Sequence, residues 1–215
     1  MIDVAIIDYG MGNLRSVCKA IEHVAPGKRV VITSDSQAVA DAARVVFPGQ
    51  GAMPDCMREL DARGLRQAVI DAAAQKPFLG ICIGQQMLFE YSEEGGVAGI
   101  GILPGKVVRF PAADSTAMRL PDGGHLKVPH MGWNEVHATR AHPLWEGIPA
   151  AARFYFVHSY HVVPTEPTDA AAETDYGLRF TSAVARDNIF AVQFHPEKSA
   201  HAGLRMLENF VRWAP

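Results

Sequence analysis

"FLGICIGQQMLFE", Phe78 to Glu90, joins an apolar run to a helical pattern and sets a cysteine between two glycines at the join. The stretch reads as strand, sharp turn and helix, with Cys82 at the turn. Gly80-Ile81-Cys82-Ile83-Gly84 has the G-x-nucleophile-x-G form of a strained elbow, which pushes a side chain out of the backbone. The glycines let the chain turn tightly with no side chain to clash beside the nucleophile. A helix over "IGQQMLFEY" would aim its first amides at the sulfur, and those amides and the helix dipole favour thiolate over thiol. The other reading of Cys82 is a small buried residue filling a gap.

Working back from the elbow, strands and helices alternate. Residues 2–8 are almost wholly apolar, as a strand covered on both faces must be. "GNLRSVCKAIEHVA" places Leu14, Val17, Cys18, Ile21 and Val24 at helical spacing. "RVVIT" is a second strand, "SQAVADAA" a helix capped by Ser34 or Asp35, and "RVVFPG" a third strand stopped by Pro48 and Gly49. "GLRQAVIDAAAQ" is helical and "PFLGIC" is the fourth strand. This alternation predicts a parallel sheet with helices on both faces. Beyond Gly95 the texture is β-rich: "KVVRF", "WNEVHA", "RFYFVHSYHVV", "FTSAVARD" and "IFAVQF" are separated by Gly, Pro and Asp turns. Residues 111–125 read as a surface loop or hairpin, and "AGLRMLENFVRWA" is a closing helix. With no repeat and no low-complexity linker, residues 1–215 are expected to form one α/β domain with a mostly parallel central sheet and a β-rich second half.

Composition narrows the function. Of 215 residues, 48% are hydrophobic and 20% charged, so an ordinary core can form, and a net charge of −3 without a basic run argues against nucleic acid. Cys18, Cys56 and Cys82 lack metal-ligand spacing and suggest a reducing compartment, with no metal and no cofactor expected. The apolar stretches are too short to span a bilayer, and "MIDVAIIDYG" lacks the basic flank and cleavage site of a signal peptide, so the expected location is cytoplasmic.

A thiolate nucleophile needs a base, and "VQFHPEKS" offers one. His195 ends an apolar strand and Glu197 follows two residues on, on the same face if the extended path continues through Pro196. Glu197 could then hold the imidazole in one tautomer, as the third member of a triad does. "FPGQGAMPD" adds two glycines one residue apart at the end of the third strand, a backbone able to present amides to an oxyanion, although taken alone Pro-Gly-x-Gly is better explained as a structural turn. Cys18 falls on the apolar face of the first helix, and Cys56 lies in the loop or helix after "PGQGAMPD". His158 and His161 of "HSYH", three apart in a strand, would face opposite ways, which is poor for chelation.

Together "PGQG", "GICIGQQ" and "HPEKS", in this order on this strand pattern, closely resemble the class I (triad) glutamine amidotransferases, over nearly the whole chain. The resemblance implies that family's three-layer, flavodoxin-like fold and its chemistry: the cysteine attacks the carboxamide of glutamine, ammonia leaves, and water hydrolyses the thioester. It implies Cys82 as nucleophile, His195 as base and Glu197 as its orienting acid. It places the oxyanion strand on Gly49, Gln50 and Gly51 with Ile83 as a further donor, and glutamine binding on Gln86, Ser159 and Tyr160. Gln50 departs from the small apolar residue expected there. "IDYGMGNLRSV", "KVPHMGWNEV" and "FYFVHSYHV" resemble one branch, the glutaminase subunits of imidazole glycerol phosphate synthase. That branch implies a heterodimer with a (β/α)8-barrel cyclase subunit, met by Trp133, Tyr155 and Lys198. Rival readings are a glutaminase of anthranilate or pyridoxal phosphate synthesis, a different cysteine hydrolase on the same elbow, and a non-catalytic regulatory subunit.

Overall fold

In the computed structural model, which describes residues 1–215, Val4 and Ile6 face one packing layer and Ala5 and Ile7 the other, so the first strand, β1 (Ile2–Ile7), is buried on both sides. The chain continues through α1 (Leu14–Val24), β2 (Val30–Thr33), α2 (Ser36–Asp41), β3 (Ala42–Gly49), α3 (Met53–Ala62), α4 (Arg66–Gln75), β4 (Phe78–Cys82) and a single turn, α5 (Ile83–Gln86). The second half adds β5 (Phe89–Ser92), β6 (Val97–Ala98), β7 (Leu103–Arg109), β8 (His130–Glu135), β9 (His137–Ala138), β10 (Arg153–His158), β11 (Tyr160–Pro164), β12 (Ala170–Tyr176), β13 (Leu178–Arg186), β14 (Ile189–Val192) and α6 (Ala200–Arg212).

The main sheet runs β2-β1-β3-β4-β14-β13-β11-β7-β5-β6. Its first five strands are mutually parallel and form the expected doubly covered core. The same alternation seen in β1 recurs in β3, where Val46 points to one layer and Val45 and Phe47 to the other. Val17 and Ile21 of α1 and Leu207 and Phe210 of α6 fill the first layer; Leu60 of α3 and Val69 of α4 fill the second. From β14 onward the neighbours are antiparallel as far as β7, the β-rich second half.

Several expectations need correction. The helix after the elbow ends at Gln86 rather than Tyr91. Burial does not decide this, because residues 83–89 are buried without a break; the chain turns at Met87 and Leu88 so that Phe89 can pair with Leu103. This opens β5, which pairs with β7. The segment 153–163 is not one strand: it breaks at Ser159, β10 joining β8 in a separate ribbon and β11 joining the main sheet. The break places both His158 and His161 against Phe110, at 5.2 and 4.9 Å between ring centroids, instead of on opposite faces. Ala42 and Ala43, read as the end of a helix, open β3, because Ala42 pairs with Ile2. Between the two N-cap candidates, Asp35 is the one used, accepting from Gln37 N at 2.9 Å.

Candidate active site

Three neighbouring parallel strands end at one edge. Their register sets Gly49 of β3 beside Cys82 of β4, and Val192 of β14 beside Ile81, so that Gln193 emerges next to Cys82. Sites in open α/β sheets form at this carboxyl edge.

Cys82 is held at φ 56°, ψ −113°, a left-handed conformation that a side-chain-bearing residue adopts only when its surroundings enforce it. The enforcing contacts are the two flanking glycines. A methyl group on Gly84 would sit 1.9 Å from the carbonyl oxygen of Phe47, and one on Gly80 would sit 2.9 Å from Ala191 Cβ. The first obstacle is backbone and cannot move aside. Gly84→Ala is therefore expected to cost about 3 kcal/mol or more, or to give no folded protein, which a thermal melt beside the wild type would read.

The expected acid–base pair forms, by a different route. The chain does not stay extended past His195: Pro196–Lys198 is a 3-10 turn. The turn nevertheless brings Glu197 Oε1 to 2.8 Å from His195 Nδ1, with the two side chains 4% and 1% exposed. Burial alone would lower the imidazolium's pKa, but the Cys82 sulfur and then the Glu197 carboxylate outweigh it and push it up to about 10. His195 therefore carries a proton at neutral pH. Its Nε2 has no hydrogen-bond partner, so that N–H remains available to a reacting atom.

Ser199 staples the turn. Its hydroxyl donates to His195 O at 2.6 Å and accepts from Tyr155 N at 2.9 Å. Gly203 of α6 packs so closely that a methyl group there would lie 1.9 Å from Pro196 O.

The Gly49-Gln50-Gly51 segment borders the site opposite His195. Gly49 admits no side chain, because its Cβ would fall 2.0 Å from Ile83 Cγ2 and 2.1 Å from the Tyr9 hydroxyl. Gln50 O faces Cys56 Sγ at 3.8 Å, and Gly51 has φ +120°. Gln50 itself is exposed, so its polar side chain costs no burial, which accounts for the departure from a small apolar residue.

A cavity of about 270 Å³ opens beside the sulfur. Gln50, Gly51, Ile83, Gln86, Ser159 and Tyr160, all expected at the site, line it with Cys82 and His195. A larger hollow of about 390 Å³ between α2 and α4 holds no imidazole or thiol. Gln86 Nε2 donates to Tyr160 O at 3.2 Å and to Gln193 Oε1 at 2.8 Å, and Gln193 Nε2 lies 3.6 Å from Cys82 Sγ.

Gln193 and Glu94 were not foreseen. Gln193 stands two residues before His195, and the strand period could have shown that the two share a face. Glu94 also lines the cavity, its carboxylate accepting from Met53 N at 2.8 Å; it lies in a turn where no periodicity marks it. A carboxylate at that wall suits the α-ammonium group of an amino-acid substrate.

Trp133, Tyr155 and Lys198 lie outside the cavity. Trp133 is 45% exposed and faces Tyr155 across the β8–β10 ribbon, at 6.2 Å between ring centroids. Lys198 Nζ is 6.0 Å from the centre of the Tyr155 ring.

A sequence model of the family described as glutamine amidotransferase class-I matches residues 5–213. The chain is a class I glutamine amidotransferase. Two curated relatives of this amidotransferase carry the name imidazole glycerol phosphate synthase subunit HisH. The protein from Aromatoleum aromaticum is 75% identical over 100% of both chains. That from Dechloromonas aromatica is 64% identical over 99% of this chain and 97% of its own. In three dimensions the amidotransferase is similar to the Trypanosoma brucei CTPS glutaminase domain, with TM-score 0.62 and 17% identity, covering 100% of this chain and 96% of that one. At that identity the likeness concerns the fold alone.

Proposed function

We propose that this chain is the glutaminase subunit of an imidazole glycerol phosphate synthase, supplying ammonia to a (β/α)8-barrel cyclase in a cytoplasmic heterodimer of histidine biosynthesis. The observation that carries the reading is the full-length similarity to subunits of that name, joined to a buried Cys82–His195–Glu197 cluster at the sheet edge. No helix is long and apolar enough to cross a membrane. In this reading residues 1–215 act as one glutamine amidotransferase domain.

The geometry supports a defined sequence of proton transfers. The Cys82 thiolate attacks Cδ of glutamine, and the developing oxyanion takes hydrogen bonds from Ile83 N–H and the Gly49–Gly51 backbone. The C–N bond breaks as His195 Nε2 gives its proton to the departing nitrogen, releasing ammonia. His195, now neutral, takes a proton from water, the water oxygen attacks the thioester, and the C–S bond breaks to leave glutamate. Gln86, Ser159 and Tyr160 hold the substrate, with Glu94 at its ammonium end.

The partner would dock on the β8–β10 ribbon. Met131, 62% exposed, and Trp133 project from it beside Tyr155 and Lys198, an apolar ledge at the rim of the cavity. Control would lie in the Gly49–Gly51 segment, whose glycines permit two peptide orientations. The isolated chain is expected to hydrolyse glutamine slowly. Adding the cyclase with its nucleotide substrate should raise the rate about a hundred-fold or more, about 2.7 kcal/mol at the transition state. Lys198→Ala should weaken that stimulation and leave the thermal melt unchanged. Full activity in the chain alone, unaltered by the cyclase, would overturn this reading.

A further inference from the structure

Behind the ledge, on the inner face of the same ribbon, lies an uninterrupted run of side-chain hydrogen bonds. His158 Nδ1 is 2.8 Å from Tyr160 O, His130 Nδ1 is 3.0 Å from His158 Nε2, and Asn134 Nδ2 is 3.3 Å from His130 Nε2.

The proton positions follow from which groups can only accept. Tyr160 O is a carbonyl, so His158 must carry its hydrogen on Nδ1. Both rings are neutral, because burial holds His130 at about 4 and His158 well below the usual histidine value. A neutral His158 with Nδ1–H presents a lone pair at Nε2, so His130 must also be the Nδ1–H tautomer. His130 Nε2 is then an acceptor and needs a donor. Asn134 supplies one, and its orientation is fixed independently: Nδ2 also donates to Asp175 O at 2.9 Å, and Oδ1 accepts from Glu135 N at 2.8 Å. Every joint agrees with the next. The run ends on Tyr160 O, the carbonyl that also accepts from Gln86 Nε2, and Gln86 leads through Gln193 to Cys82 Sγ.

We propose that His130 and His158 are positioning residues for the glutamine pocket, a directional relay of two Nδ1–H imidazoles that fixes the Tyr160 carbonyl and through it the carboxamide of Gln86. This role rests on the glutaminase reading, in which Gln86 touches substrate. The alternative for His130 is packing, since its ring stacks between Phe156 and Tyr176 at 4.7 and 3.9 Å between centroids.

Two substitutions separate the roles. His130→Phe keeps the stack and removes the donor to His158. His130→Gln spoils the stack and keeps an N–H that can reach His158 Nε2. The relay requires His130→Phe to raise the KM for glutamine about tenfold with a smaller fall in kcat, the mark of lost substrate binding. It also requires His130→Gln to recover part of that loss despite a lower Tm. A packing role requires the opposite order, with His130→Phe near normal and His130→Gln impaired, and that result would overturn the proposal. Long-range 15N–1H correlation spectra of the imidazoles in the full chain give a second arm that needs no turnover. Both rings should be Nδ1–H tautomers at neutral pH, and an Nε2–H tautomer at either would overturn the relay even if glutaminase activity is intact. Absence of glutamine turnover in the wild-type complex, with the tautomers as stated, would instead overturn the glutaminase reading.

Discussion

Cys82→Ala should abolish glutamine hydrolysis, a loss of about a million-fold by analogy with removing the nucleophile of a serine triad, or about 8 kcal/mol at the transition state. No neighbouring group can substitute. Cys56, the nearest other thiol in the fold's logic, is fully buried under the Gly49–Gly51 segment, and burial pushes its pKa up to about 11, so it stays protonated. Cys18 lies partly buried on α1, packed into the core, and does not line the cavity beside Cys82. Cys18→Ala and Cys56→Ala should therefore keep turnover, although Cys56→Ala gives up the 3.8 Å contact to Gln50 O. A glutamine-like electrophile should label Cys82, and mass spectrometry showing label mainly on Cys56 would sink the assignment. The Cys82→Ala chain, assembled with its cyclase, should still support product formation from added ammonium salt, because the ring closure belongs to the partner.

The two other triad members should differ in severity. His195 handles the proton in both half-reactions, and His195→Ala is expected to be almost as damaging as loss of the nucleophile. Glu197 only orients and stabilises it. Comparable orienting acids cost about 10^4-fold when removed, so Glu197→Gln should retain measurable turnover. The sign of the accompanying pH effect follows from the raised value. His195 stays protonated up to about pH 10, held there by the Cys82 sulfur and Glu197 against the opposing effect of burial. Neutralising Glu197 removes one of the two supports, so the alkaline limb of the pH–kcat/KM profile, which reports the free enzyme, should move to lower pH. Equal, near-normal rates in both variants would refute the triad.

How much of this could be read before the structure depended on how local each cause was. The elbow was legible because two glycines and a cysteine at fixed spacing admit few conformations, and the parallel half because its strands are apolar throughout and alternate with helices. The single-turn α5 was not. Leu88 and Phe89 fit a helical pattern as well as a strand, and only the pairing with Leu103, distant in sequence, decides between them. The break at Ser159 was hidden for the same reason: β10 and β11 are equally β-prone, and their different partners are set by tertiary contacts. His195 and Glu197 were identified on the assumption of an extended path; His195 is itself extended, at φ −106° and ψ 95°, and the turn that begins at Pro196 still brings Glu197 Oε1 to 2.8 Å from its Nδ1. Gln193 was available from the strand period, whereas Glu94 reaches the cavity only because the turn after β5 meets the start of α3, where its carboxylate accepts from Met53 N.

The stapled turn after β14 has one further consequence. Glu197, inside, and Lys198, outside, are consecutive residues of a three-residue turn pinned by Ser199 and Gly203. Chemistry and surface are thus separated by one peptide bond, with no slack between them. A small molecule wedged against Tyr155 and Lys198 would leave the glutamine cavity open yet tilt the carboxylate that steadies His195. It should lower kcat without raising KM, a purely noncompetitive inhibitor whose pharmacology would be that of the surface and not of the substrate.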